Sequence, residues 1–532
     1  MARRFAGIQA FVVGVAVLSV HAHAQEPPMK IAPPTNMMRL GTIEERYQSY
    51  NIEMLEVTGG MFWRPYGSAS TTQTTSASDR SGVPSGMNAK LYEYRPPIDL
   101  SNGKLRRLAA ALGPAYVRVS GTWANTMYFA DADPAPSSAP SGFSGVLSRE
   151  RWKGVVDFAA ATGARIVTSM AVSPGVRDPG GVWMPVQARR FLDYTRSVGG
   201  DIAAAEFMNE PTMATMGGAP KGYDAEAFGR DFKLFASFAR QAAPDMRILG
   251  PGSVGETNAS EAMIRYGTQG TIATRAMLQQ MGRNVHAFSY HHYGAASRRC
   301  AGTPGMPQTS ADAARSEEWL ARTDQTLAFY RNLRDEFEPG KPMWVTETAD
   351  AACGGNPWAS TFLDTFRYLD QLGRLAKQGV QVVMHNTLAS SDYGLLEEKT
   401  LRPRPNYWGA LLWRRLMGTT VLEAGVGIAE GRHVYAHCRR GTPGGVTLLV
   451  INNSRTETVT EIPLESRRYT LSADPLQNAD VELNEATLKV DDSGDLPAIE
   501  GVATAAGSVS FAPGSITFLT IERARNSTCL GS

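Results

Sequence analysis

Two short stretches of the sequence put carboxylates where acid–base or nucleophilic chemistry could occur. They are Phe207-Met208-Asn209-Glu210-Pro211 and Trp344-Val345-Thr346-Glu347-Thr348. Each closes an apolar, strand-like run, so each glutamate stands where a buried strand opens toward solvent. Two such glutamates facing one another are what retaining glycoside hydrolysis requires, one as acid/base and one as nucleophile, with carboxyl groups about 5 to 5.5 Å apart. Either glutamate alone would be an ordinary surface or helix-capping acid; the pair is more specific. Asn209 beside Glu210 adds a donor able to contact a sugar 2-hydroxyl, a contact that strengthens in the transition state.

A third stretch, Tyr290-His291-His292-Tyr293, invites a metal-site reading. Adjacent residues on a strand point to opposite faces, so both histidines are not expected on one metal, and no metal is expected here. Tyr293 and one histidine, His291, are expected to orient the nucleophile. Arg118, in the apolar run Ala115-Tyr116-Val117-Arg118, has two readings of equal weight. It is either half of a buried structural ion pair or a positive charge that keeps Glu347 ionised.

These residues need elements to position them, and the pattern supplies eight strand candidates, at 48–57, 115–121, 164–172, 202–210, 246–253, 285–293, 342–348 and 380–388. Amphipathic helical stretches at 149–162, 224–242, 310–337 and 360–378 lie between them. Eight βα units predict a (β/α)8 TIM barrel, whose site is built at the C-terminal ends of its strands. Near Met417 the texture changes to short alternating runs at 434–438, 446–452, 468–472, 487–490 and 515–521, punctuated by Gly, Pro, Asn and Asp. That texture predicts a β-sandwich. The expected organisation is a signal peptide over 1–24, a tether over 25–45 that could join the sandwich, a catalytic barrel over 46–416 and the sandwich over 417–532. Segments 68–86 and 131–141, rich in Ser, Thr and Pro, are expected as surface loops.

At 532 residues with 43% hydrophobic and 20% charged side chains, the chain can bury a sizeable core, which argues against disorder. Arg3 and Arg4 precede an apolar run that ends in Ala22-His23-Ala24, the pattern of a signal-peptidase site. Cleavage there removes two arginines and no acid, which takes the formal charge from +2 to zero. An overall polycation that grips nucleic acid is thereby excluded. No later apolar stretch approaches the roughly 20 residues of a membrane span, so a secreted or periplasmic protein is expected. Export permits disulfides. Cys300, Cys353, Cys438 and Cys529 lack CxxC spacing and favour two structural bridges over zinc. Cys300 and Cys353 follow neighbouring strands, so a bridge between them at the barrel mouth is expected.

Taken together, Gln48-Ser49-Tyr50-Asn51-Ile52-Glu53, Ala115-Tyr116-Val117-Arg118, Asn209-Glu210-Pro211, His291-His292-Tyr293, Thr346-Glu347-Thr348 and Asn406-Tyr407-Trp408 have the order and spacing of heparanases. The chain resembles this retaining β-glucuronidase group, glycoside hydrolase family 79, from about Arg46 to Cys529. The resemblance implies that Glu210 is the acid/base and Glu347 the nucleophile. It implies that Tyr393 and backbone N–H groups of the turn Cys353-Gly354-Gly355 hold a glucuronate carboxylate. It also implies that Glu53, Thr122 and Asn209 contact sugar hydroxyls, and that Cys438 pairs with Cys529. Cys353 stands where a mammalian relative has glycine. The linker that mammalian proenzymes excise has no counterpart between Ala130 and Ser148.

Backbone N–H groups and a tyrosine hydroxyl can bind a carboxylate without arginine. Of the basic pairs Arg189-Arg190, Arg298-Arg299, Arg402 with Arg404, Arg414-Arg415 and Arg439-Arg440, most fit a solvated face. Arg298 and Arg299 follow the sixth strand, so they are expected to rim the cleft and contact sulfate. The expectation is a monomeric endo-β-D-glucuronidase without cofactor, acting on heparan sulfate or a related sulfated, glucuronate-containing polysaccharide. Its alternatives are an exo-β-glucuronidase and a glycan-binding pseudoenzyme.

Overall fold

The structure, a computed structural model, describes residues 29–67, 82–84, 86–257, 270–301 and 307–531. The expected signal peptide and most of the loop at 68–86 lie outside the described residues. Eight parallel strands close into a barrel: β1 Gln48–Glu53, β2 Tyr116–Ser120, β3 Arg165–Ser169, β4 Ile202–Glu206, β5 Arg247–Ser253, β6 Ala287–Tyr293, β7 Met343–Ala349 and β8 Val382–His385. They are neighbours in chain order, and β8 closes onto β1 with His385 opposite Tyr50. The fold is therefore the expected (β/α)8 barrel followed by an antiparallel sheet domain. Strands β1, β2 and β4 are buried at every position, because helices cover the outside and side chains fill the inside.

The differences from expectation lie at element ends. The expected strand 48–57 stops at Glu53, where reciprocal hydrogen bonds between Glu53 and Glu56 start the helix Met54–Thr58. The expected strand 202–210 stops at Glu206, which leaves Glu210 four residues beyond it. Helix Arg149–Thr162 matches its expected bounds because both ends are written locally: Ser148 caps the start and Gly163, at φ 67°, ends it. The expected helix 310–337 divides into Glu317–Leu320 and Arg322–Phe337.

The main C-terminal sheet runs Arg39–Thr42, Met417–Leu422, Arg432–Arg439, Val446–Asn452, Ser515–Ile521, Ser466–Ser472, Glu482–Leu483 and Ala486–Thr487, with Val502–Thr504 also paired to Ser466–Ser472. Its first strand comes from the N-terminal segment, paired antiparallel with Met417–Leu422. The second layer is the pair Thr458–Ile462 and Gly507–Phe511. Ile462, Val509 and Phe511 from that pair share a core with Leu448, Val450 and Leu519 of the main sheet. The expected strand 487–490 shrinks to the two residues Ala486–Thr487. Cys438–Cys529 ties the sheet to the C-terminal tail, and Cys300–Cys353 joins the loops after β6 and β7.

Candidate active site

Arg118, in the middle of β2 and 1% exposed, organises the barrel mouth. Its Nε and Nη2 donate to Glu206 Oε2 at 3.1 and 2.8 Å, its Nη1 to Glu347 Oε2 at 2.9 Å and its Nη2 to Asn209 Oδ1 at 2.7 Å. The two readings of Arg118 thus describe one residue: it is in a buried ion pair and it touches Glu347. Burial pushes the Glu206 carboxyl up, but Arg118, with help from Thr346 Oγ1, holds it below the usual carboxylate range. Glu347 receives its second donor from Tyr293, whose hydroxyl is 2.6 Å from Oε1.

Glu210 faces the same space from the loop after β4. It has φ 48° and ψ 59°, a left-handed conformation that costs a non-glycine residue about 1–2 kcal/mol. The preceding backbone is clamped by Asn125, which accepts from Asn209 N at 2.8 Å and donates to Asn209 O at 2.9 Å. His291 lies between the carboxylates, with Nδ1 3.1 Å from Glu210 Oε1 and 3.7 Å from Glu347 Oε2. His291 Nε2 faces Arg118 Nη2 at 3.3 Å, and a guanidinium has no lone pair to accept from an Nε2–H, so the ring proton belongs on Nδ1. Nδ1–H therefore donates to Glu210, and His291 lies closer to that carboxyl than to Glu347. Burial pushes the Glu210 carboxyl up, opposed by the His291 hydrogen bond and reinforced by the charge of Glu347. His292 points the other way, to Thr326 Oγ1 at 2.9 Å.

Glu210, His291 and Glu347 each offer an atom within 4.8 Å of the others. A cation in that triangle would sit against the Arg118 guanidinium, which already occupies Glu347 Oε2, so the cluster suits two carboxyls and a proton better than a metal. Beside it, Asn386 Nδ2 donates to Glu53 Oε1 at 3.1 Å, to the Tyr293 hydroxyl at 3.1 Å and to the Tyr393 hydroxyl at 3.2 Å. Burial and the charge of Glu347 push the Glu53 carboxyl well above its usual range. Gly121 makes room for it, since a Cβ there would stand 1.6 Å from Glu53 Oε2. Thr122 opens the short helix that follows and is half-buried.

The turn Cys353-Gly354-Gly355 borders Tyr393: a Cβ on Gly355 would meet the Tyr393 ring at 3.0 Å. Arg298 is exposed. Arg299 is not a free rim cation. Its guanidinium is turned inward and spent on backbone carbonyls of the turn, including Gly354 O at 3.0 Å and Gly355 O at 2.9 Å, and on Asp392.

Residues 97–373 match the pattern described as "Glycosyl hydrolase family 79, N-terminal domain". That match spans more than half of the chain. The chain belongs to glycoside hydrolase family 79. Heparanase-like protein 1 of Arabidopsis thaliana is 30% identical over 373 residues, covering 67% of this chain and 65% of that protein. Heparanase of Mus musculus is 26% identical over 503 residues, covering 81% of this chain and 88% of its own length. Baicalin-beta-D-glucuronidase of Scutellaria baicalensis is 33% identical over 192 residues, 34% of this chain and 36% of that one. Among solved structures, the GH51 arabinofuranosidase from Xanthomonas axonopodis pv. citri superposes with a TM-score of 0.61 at 15% identity, over 93% of this chain and 99% of that one. At that identity the likeness shows the fold alone.

Several residues of this family 79 site escape a sequence reading that carries β4 to Glu210 and β8 to Leu388. Glu206 and Asn386 then look like strand interior, whereas they stand at the last position of β4 and just beyond β8. A signal for Glu206 was present: it is the one charged residue after Ile202-Ala203-Ala204-Ala205, a carboxylate that a buried strand tolerates only with a partner. Asn125 carries no such mark.

Proposed function

We propose that the chain is a retaining β-D-glucuronidase, with Glu347 as nucleophile and Glu210 as acid/base, assisted by Asn209, Tyr293, His291 and Arg118. The observation that carries this reading is the close approach of the two carboxylates, oxygen to oxygen within 4.8 Å, in unlike surroundings. That spacing suits the roughly 5 to 5.5 Å carboxyl separation of a retaining enzyme and leaves no room for the water an inverting one activates. In the first step Glu347 attacks the anomeric carbon, displacing the leaving oxygen, to which Glu210 delivers its proton. In the second, Glu210 takes a proton from water, which attacks the same carbon and frees Glu347. Arg118 and Tyr293 direct Glu347; His291 occupies Glu210 Oε1, which reserves Oε2 for the leaving oxygen.

The finer reading is internal cleavage of heparan sulfate or a related glycosaminoglycan, supported by relatives named heparanase and by the exposed Arg298. Removal of terminal glucuronate is the second reading. It is favoured by Arg299, whose donors are already taken and so cannot grip a flanking sulfate. Sizing the products formed from heparan sulfate over time tests the choice. Internal cleavage predicts an early fall in mean chain length, inhibition by heparin and weakening by salt. Free glucuronate as the earliest product, with polymer size barely changed, overturns it.

A further inference from the structure

Arg299 is 6% exposed at its side chain, yet its only formal counter-charge among the described residues is Asp392. The rest of its hydrogen bonding goes to main chain. Nη1 donates to the carbonyls of Cys353 at 3.3 Å, Gly354 at 3.0 Å and Gly355 at 2.9 Å, while Nε and Nη2 donate to Arg64 O at 3.0 and 2.6 Å. The guanidinium lies 3.8 Å from the centroid of the Tyr66 ring. Burying a cation is costly unless its donors are satisfied, and here Nη1 is satisfied by the turn 353–355 while Nε and Nη2 are satisfied by Arg64 O and Asp392.

Three consecutive carbonyls can converge on one group because Cys353, Gly354 and Gly355 all have positive φ, 63°, 79° and 83°. A left-handed turn sends its carbonyls one way along its axis and its N–H groups the other. Arg299 holds the carbonyl end, and among the described residues no backbone carbonyl accepts from the N–H groups of the three residues. Successive free N–H groups make an anion-binding concavity. The same guanidinium reaches the loop that carries Tyr393, through Asp392, and Arg404 Nη1 braces that loop by donating to Ser391 O at 2.7 Å, Asp392 O at 3.0 Å and Gly394 O at 3.1 Å.

We propose that Arg299 is a positioning residue that sets specificity for a uronic acid: it fixes the turn 353–355 and, through Asp392, the Tyr393 loop in the arrangement that receives the sugar carboxylate. This rests on the glucuronidase reading above. Arg299 touches no substrate; it acts through the backbone. Lysine cannot replace it, because a single ammonium cannot span the carbonyls of two segments as a planar fork does.

The test is kcat/KM of the full chain on 4-nitrophenyl β-D-glucuronide and 4-nitrophenyl β-D-glucoside. Arg299→Lys is expected to lower the glucuronide-to-glucoside ratio at least tenfold, chiefly through KM for the glucuronide. Misfolding would reduce both substrates alike, so the ratio separates positioning from stability. Should Arg299→Lys not fold, Asp392→Asn removes the link to the Tyr393 loop and leaves the carbonyl contacts; its ratio is expected to fall at least threefold. A ratio unchanged in the folded variant overturns the proposal. A wild-type enzyme with no preference for the glucuronide contradicts the glucuronidase reading itself.

Discussion

Glu210 and Glu347 are the same side chain in two environments, and the difference divides their work. Glu347 has a donor on each oxygen, Tyr293 and Arg118, whereas among the described residues Glu210 has one, His291, and a carboxyl that burial pushes up. Glu347→Gln should abolish the glycosyl-enzyme, and Glu210→Gln should spare substrates whose leaving group needs no protonation, as rates on activated and unactivated aryl glucuronides will report. Equal loss on both substrates by both variants would contradict the division. The glutamates were legible in sequence because each closes an apolar run, and Arg118 because a charge inside such a run needs a partner. Arg299 was not, since nothing local distinguishes a guanidinium turned outward from one that meets carbonyls of residues 64 and 353–355.

At the scale of elements, the helix Phe362–Lys377 shows what periodicity can and cannot convey. Its bounds were legible to within two residues, but it is buried on nearly every side, because the barrel lies on one face and the C-terminal sheet on the other. Gly373 marks that second contact: a Cβ there would stand 2.3–2.5 Å from ring atoms of Tyr435. Alanine is the better helix former by about 0.5–1 kcal/mol, whereas overpacking typically costs about 1–3 kcal/mol. Gly373→Ala should therefore destabilise the protein, measured as a lower denaturant midpoint; a raised midpoint would mean that Tyr435 moves aside freely. The short strands of the sheet were less legible than the barrel, because pieces such as Ala486–Thr487 owe their pairing to distant partners and carry little pattern of their own.

For the whole molecule, one buried ionic cluster joins barrel and sheet. His433, on strand Arg432–Arg439, faces Asp370 at 2.5 Å and Glu317 at 3.0 Å. Arg374 pairs with Asp370, Asp324 and Glu317 at 2.5–2.7 Å, and Tyr435 donates to Asp370 at 2.5 Å. Burial pushes the His433 ring down, but the carboxylates of Asp370 and Glu317 outweigh it and raise it from 6.5 to about 9. A pKa raised by folding contributes stability that is complete below about pH 6.5 and disappears as pH rises through about 9. The contribution is on the order of 3 kcal/mol, by the conversion of pKa shift to free energy. Denaturant unfolding at pH 6, 7.5 and 9.5 should show the wild type losing stability across this window and His433→Gln losing less. Parallel slopes would remove His433 from the account.

The two-carboxylate assignment meets its most direct test in the configuration of the azide adduct formed by Glu210→Gln from an activated aryl β-glucuronide. With Glu347 as nucleophile, the adduct is the β-glucuronyl azide, because azide replaces water in the second of two inversions. An α-glucuronyl azide would mean a single inversion and would contradict the account.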